Sequence, residues 1–120
     1  LGFPFIFRGA LDAGSKIINE AMKIAAAKSL AALAKEPVPQ EICDIYGVKE
    51  LTFGLDYSIP KPFDPRVLEW ESAAVAQAAM DTGVARKTLD IPAYKKELRA
   101  RMEESRKRIA AVVDLYGMDF

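Results

Sequence analysis

The stretch SKIINEAMKIAAAKSLAALAK, residues 15–35, decides the fold. Ile17, Ile18, Ala21, Met22, Ala25, Ser29, Leu30 and Leu33 return every three or four positions, which lines them up along one side of a helix. The alanines between them raise helix propensity and let a neighbouring element come close. Asp12 or Ser15 is the expected N-cap, although Ser15 lacks the acidic residue three positions on that completes a capping box. Pro37 and Pro39 stop the helix.

Outward from this stretch, the same period returns twice more. A short helix is expected over 39–46, closed by Gly47. Residues 48–62 lose the period and gather Gly54, Pro60 and Pro62, which predicts an irregular connector with at most a brief strand at 51–53. Asp64-Pro65 reads as an N-cap followed by proline in the first turn. Helix then follows over 66–70, with a second or continuing segment at 72–82 that Gly83 ends. Ala73, Ala76, Ala79 and Met80 predict close packing there. Asp90 is the expected cap of a last helix over 91–116, with Pro92 tolerated in its first turn. Its apolar stripe of Tyr94, Leu98, Met102, Ile109, Val112, Val113 and Tyr116 is interrupted by Ser105. At 1.5 Å per residue that helix runs roughly 39 Å, enough for its stripe to serve as a docking surface. The chain is therefore mainly α, four or five helices joined by a Pro-rich connector. Residues 1–12 read as an apolar strand or loop, 13–47 as helices, 48–64 as the connector and 65–120 as the C-terminal helices, with Gly117 to Phe120 as a natural end.

Composition removes whole classes of function. Lys plus Arg and Asp plus Glu are each 17, and this zero net charge argues against a nucleic-acid surface, which needs concentrated basic charge. No histidine is present, so imidazole bases, His-containing triads and His-ligated zinc are all absent. The single cysteine, Cys43, has no internal partner. It is expected to be a buried, inert thiol in a reducing, cytoplasmic setting. No apolar run approaches the ~20 residues that span a bilayer, so no membrane partner is expected. The opening LGFPFIF, residues 1–7, lacks the flanks of a signal peptide and begins without methionine. It reads as part of a longer polypeptide, with an apolar run that something must cover.

Little in the chain carries chemistry by itself. The glycines at 2, 9, 14, 47, 54, 83 and 117 match neither a dinucleotide fingerprint nor a phosphate loop. No catalytic, cofactor-binding or metal-ligating residue is assigned. Asp12 and Asp64 are explained as helix caps, and Glu69, Glu71, Glu103 and Glu104 are expected on solvated faces. Arg8, flanked by apolar residues, is read as one half of a structural ion pair in preference to an anion-binding guanidinium. Lys61, held between two prolines, is read as an exposed loop lysine.

Several strings nevertheless resemble the bacterial malic enzymes. They are LGFPFIFRGALD at 1–12, INEAMK at 18–23, LAKEPVP at 33–39, Phe53-Gly54 with Tyr57, IPKPFDPR at 59–66 and AAMDTGVA at 78–85. The resemblance covers about residues 1–100, and residues 68–72 depart from it. It implies the C-terminal portion of a parent α/β, Rossmann-type domain that binds NAD or NADP. It further implies a parent that oxidatively decarboxylates malate to pyruvate with Mg²⁺ or Mn²⁺, acting as a cytoplasmic homodimer. The catalytic Tyr and Lys, the acidic metal ligands and the glycine turn of that family do not lie in these residues. Leu1 and Gly2 are implied to border the substrate pocket, and the isolated chain is expected to be inactive and to bind no cofactor. The competing expectation is a free-standing helical interaction or dimerisation module, which should hide Phe3, Phe5 and Phe7 in its own interface.

Overall fold

The computed structural model describes residues 1–117, so the expected natural end at Gly117 to Phe120 lies largely outside the described residues. Five helices follow one another: α1 (Phe5–Asp12), α2 (Glu20–Ala34), α3 (Gln40–Ile45), α4 (Arg66–Asp81) and α5 (Ile91–Tyr116). Among the described residues there is no strand, only an isolated bridge between Gly54 and Tyr57. Residues 51–53 form no strand, which agrees with the expectation of an irregular connector with at most a brief one.

Helix α4 is the hub, touching α1, α2 and α5. Its buried side, Val67, Ser72, Ala73, Val75, Ala76 and Ala79, is mostly small, which lets three helices approach it. The largest fully buried apolar side chains around it are Met22, Leu33 and Leu98, each contributing about 1.5–3 kcal/mol over exposure. The helix runs unbroken for 16 residues, so the two segments expected over 66–82 are one. Gly83 ends it with φ +74°, a left-handed turn that favours glycine.

Two expectations are corrected at the start of the chain. The opening run is a helix from Phe5 onward, not a strand or loop. A short apolar run does not by its period distinguish the two, and the choice is made by packing on α4. An added Cβ at Gly9 would lie 2.5 Å from the Ser72 carbonyl oxygen and 2.9 Å from Val75 Cβ. Only glycine permits that approach. Second, α2 begins at Glu20, later than the expected position 15. Its cap is Asn19, whose side-chain oxygen accepts from the Met22 amide at 2.9 Å. Ser15 instead donates to the Ile17 carbonyl at 2.7 Å, and Asp12 is engaged elsewhere. Asp90 does occupy the N-cap of α5 but makes no side-chain cap bond; its carbonyl accepts from the Tyr94 amide at 2.8 Å.

Candidate functional site

Leu1 and Gly2 lie beside α4. The Gly2 carbonyl accepts from the Ile6 amide at 2.9 Å, and an added Cβ at Gly2 would sit 3.7 Å from Glu71 Oε1. Glu71 is fully buried. Neither of its oxygens has a hydrogen-bond partner among the described residues. Burial pushes its carboxyl up to about 7, with the Leu1 amino group pulling the other way. Near neutral pH it is therefore divided between the protonated acid and the carboxylate. The solvated face expected for Glu71 is instead the buried side of α4. Val67, Glu71 and Val75 stand four residues apart on the buried side of α4, and that spacing was the available signal. Glu69, expected on the same solvated face, is only partly exposed and pairs with Arg99 at 3.0 Å.

Arg8 takes the structural role expected of it. Its Nε donates to Asp12 Oδ2 at 2.8 Å and a second guanidinium nitrogen reaches Oδ1. The Tyr94 hydroxyl donates to the same carboxylate at 2.6 Å. The hydrogen bond to Asp12 raises the Arg8 pKa, while burial, reinforced by the tyrosine's own hydrogen bond to Asp12, raises the Tyr94 phenol well above its ordinary value. The three side chains form a tie between α1 and α5.

A second polar cluster fixes the connector. Asp64, its side chain fully covered, accepts from the Arg66 amide at 2.9 Å and pairs with the Arg66 guanidinium at 2.8 Å. Arg66 also donates to the Pro37 carbonyl at 2.8 Å. Burial opposes the guanidinium's charge, but Asp64 outweighs it and the pKa rises. Tyr57 is buried nearby, and its hydroxyl has no hydrogen-bond partner among the described residues; desolvation, then the Asp64 charge, raises its pKa. Cys43 is buried and free. The Lys61 ammonium rests 5.4 Å from the centre of the Tyr46 ring, a cation–π contact.

Two open clefts flank α5. One, of about 480 Å³, lies between Leu68, Leu98 and Met102. The other, of about 320 Å³, lies between Phe5, Ile42, Phe63 and Met102. Neither is lined by Leu1, Gly2 or Glu71. Among the described residues no three carboxylate or thiol side chains gather as metal ligands, and no glycine turn opens a helix onto a phosphate. These residues do not by themselves fit Mg²⁺, Mn²⁺ or a nicotinamide dinucleotide. Among the described residues no helix is long and apolar enough to cross a membrane.

No family model matches the chain. An NADP-dependent malic enzyme of Rhizobium meliloti is 50% identical over 115 residues, covering 95% of this chain and 15% of the relative. An NADP-dependent malic enzyme of Halomonas elongata is 59% identical over 87 residues, 72% of this chain and 21% of the relative. An NAD-dependent malic enzyme of Rhizobium meliloti also matches. The crystal structure of a malic enzyme from Pyrococcus horikoshii superposes with a TM-score of 0.71 at 35% identity, over 92% of this chain and 22% of that one. The chain thus spans about a fifth or less of the length of these relatives. With half its residues shared across nearly its whole extent and its helical arrangement reproduced, this chain belongs to the malic enzyme family and corresponds to a section of those longer polypeptides.

Proposed function

We propose that these residues are the C-terminal section of the NAD(P)-binding domain of a malic enzyme. The parent would oxidatively decarboxylate malate to pyruvate and CO₂, reducing NAD or NADP with the help of Mg²⁺ or Mn²⁺, in the cytoplasm and as a homodimer. The observation that carries this reading is the 50% identity over 95% of the chain. The section's task is architectural: its helices wrap the α/β scaffold that holds cofactor and metal, and Leu1 and Gly2 border the substrate pocket without a catalytic group of their own.

The exposed apolar faces support this. Phe3 and Phe7 are 78% and 50% exposed and stack edge to face on each other at 5.7 Å. Leu11 on α1, Ile17 in the turn before α2 and Ile24 on α2 are exposed as well. A free-standing module was expected to hide Phe3, Phe5 and Phe7 in its own interface; within this chain Phe5 packs against Leu30, Leu33 and Val67, whereas Phe3 and Phe7 stay exposed.

The test is a chimera in which this chain replaces the matching residues of the Rhizobium meliloti NADP-dependent enzyme. The chimera is expected to form NADPH from malate with Mn²⁺, and the isolated chain to form none. A chimera that folds yet is inactive, or turnover by the isolated chain, overturns the proposal.

A further inference from the structure

Helix α4 carries two buried polar side chains in succession beside the entry of α1, and only one of them is paired. Ser72 is fully buried and donates to the Phe5 carbonyl at 3.2 Å. Glu71, just before it, is fully buried as well, with no hydrogen-bond partner for either oxygen among the described residues. Polar groups held inside a protein nearly always find a partner, and one left without is costly. An apolar side chain would fill the same place, four residues from Val67 and from Val75, without that cost.

Main chain stands next to the carboxyl. An added Cβ at Gly2 would lie 3.7 Å from Glu71 Oε1 and 2.9 Å from Ile6 Cδ1, so the backbone at Gly2 passes close to Glu71 in a space that a side chain would fill. The Gly2 carbonyl is taken by the Ile6 amide at 2.9 Å. The one charged group that acts on Glu71 is the amino group of Leu1. On the reading proposed above, polypeptide precedes Leu1, and there the Leu1 nitrogen is an amide joined to a carbonyl. That linkage offers a donor and an acceptor together, beside a carboxyl that lacks both. It also removes the ammonium charge, the one influence that opposes burial. The neutral acid, with an O–H to donate and a C=O to accept, is then the form that fits.

We propose that Glu71 is a positioning residue whose carboxyl clamps the main chain directly ahead of Leu1, donating to a carbonyl and accepting from an amide, and so holds in place the segment that borders the malate pocket. This rests on the reading that Leu1 and Gly2 border that pocket. Glu71 acts through the segment and not on the substrate.

The chimera described above carries the test. Glu71→Leu and Glu71→Met replace the carboxyl by apolar groups of similar size, whereas Glu71→Gln keeps a donor and an acceptor in the same shape. Both apolar variants are expected to raise KM for malate about tenfold with kcat within about twofold, and Glu71→Gln to stay within about twofold of the unsubstituted chimera in both. Hydrogen exchange read by mass spectrometry follows the same order. The peptide that precedes Gly2 exchanges faster in the apolar variants and at the unsubstituted rate in Glu71→Gln. A merely structural role would instead lower kcat through an unfolded fraction and lower the melt, with KM unmoved. KM and exchange unchanged in the apolar variants overturn the proposal. So does a Glu71→Gln that loses as much as Glu71→Leu, or failure of both apolar variants to fold. An inactive unsubstituted chimera overturns the underlying reading and this proposal together, whereas an active chimera indifferent to Glu71 overturns the clamp alone.

Discussion

The hydroxyl of Tyr94 donates to the carboxylate of Asp12 at 2.6 Å across 82 positions of sequence, and so fastens the first turn of the last helix to the end of the first. Because the acceptor is charged and largely covered, Tyr94→Phe is expected to cost about 1.5–3 kcal/mol. Denaturant unfolding at neutral pH measures it. Arg8→Ala should cost less, because that guanidinium is 41% exposed and solvent screens the pair.

Glu71 makes stability fall as pH rises. Its folded carboxyl titrates near 7, against an ordinary value of 4.5, so between those values the folded chain holds the proton more tightly than the unfolded one. The stabilisation is complete below the lower value and disappears as pH climbs through the upper. Glu71→Gln is expected to remove this slope, and Glu71→Leu to raise stability above it by roughly 1–3 kcal/mol. Comparing urea midpoints of each variant with the parent at about pH 5 and about pH 8 isolates this group from the other carboxylates.

Gly9→Ala would place a methyl group 2.5 Å from a backbone oxygen of α4, which cannot rotate away. The expected loss is about 1–3 kcal/mol, with α1 displaced from α4. A melt, together with loss of amide protection in residues 5–12, reads it. Gly9→Ala outside a packed interface would instead stabilise a helix, so the sign of the change tests the contact.

Asp64→Asn leaves the Arg66 guanidinium, also bound to the Pro37 carbonyl, facing a neutral partner inside the connector. Breaking a covered pair in this way typically costs about 3–5 kcal/mol. Arg66→Lys keeps the charge but not the fork that reaches both partners, and should lose a substantial part of the same stability. Thermal unfolding of the two variants ranks them.

Helices α2, α4 and α5 were legible because each repeats apolar residues with a helical period and meets proline or glycine at its boundary. Helix α1 was not, since its choice of conformation rests on Gly9 meeting Ser72, a contact far apart in sequence. The cap of α2 was misread for the same reason: Asp12 looks available locally but is claimed by Arg8 and Tyr94. Glu71 was misread because its charge was weighed above its place between Val67 and Val75. The kinship was legible from matching strings such as those at 59–66 and 78–85, whereas no site side chain could be singled out by spacing alone.

Helix α5 is anchored at one end only, and this gives one continuous element two tiers of persistence. Amides near Tyr94 and Leu98 should exchange with solvent only when the whole bundle opens, whereas those around the exposed Ile109 and Val112 exchange by local opening. The helix therefore behaves as a cantilever, and whatever grips its far end adds stability without rearranging the bundle that holds its root.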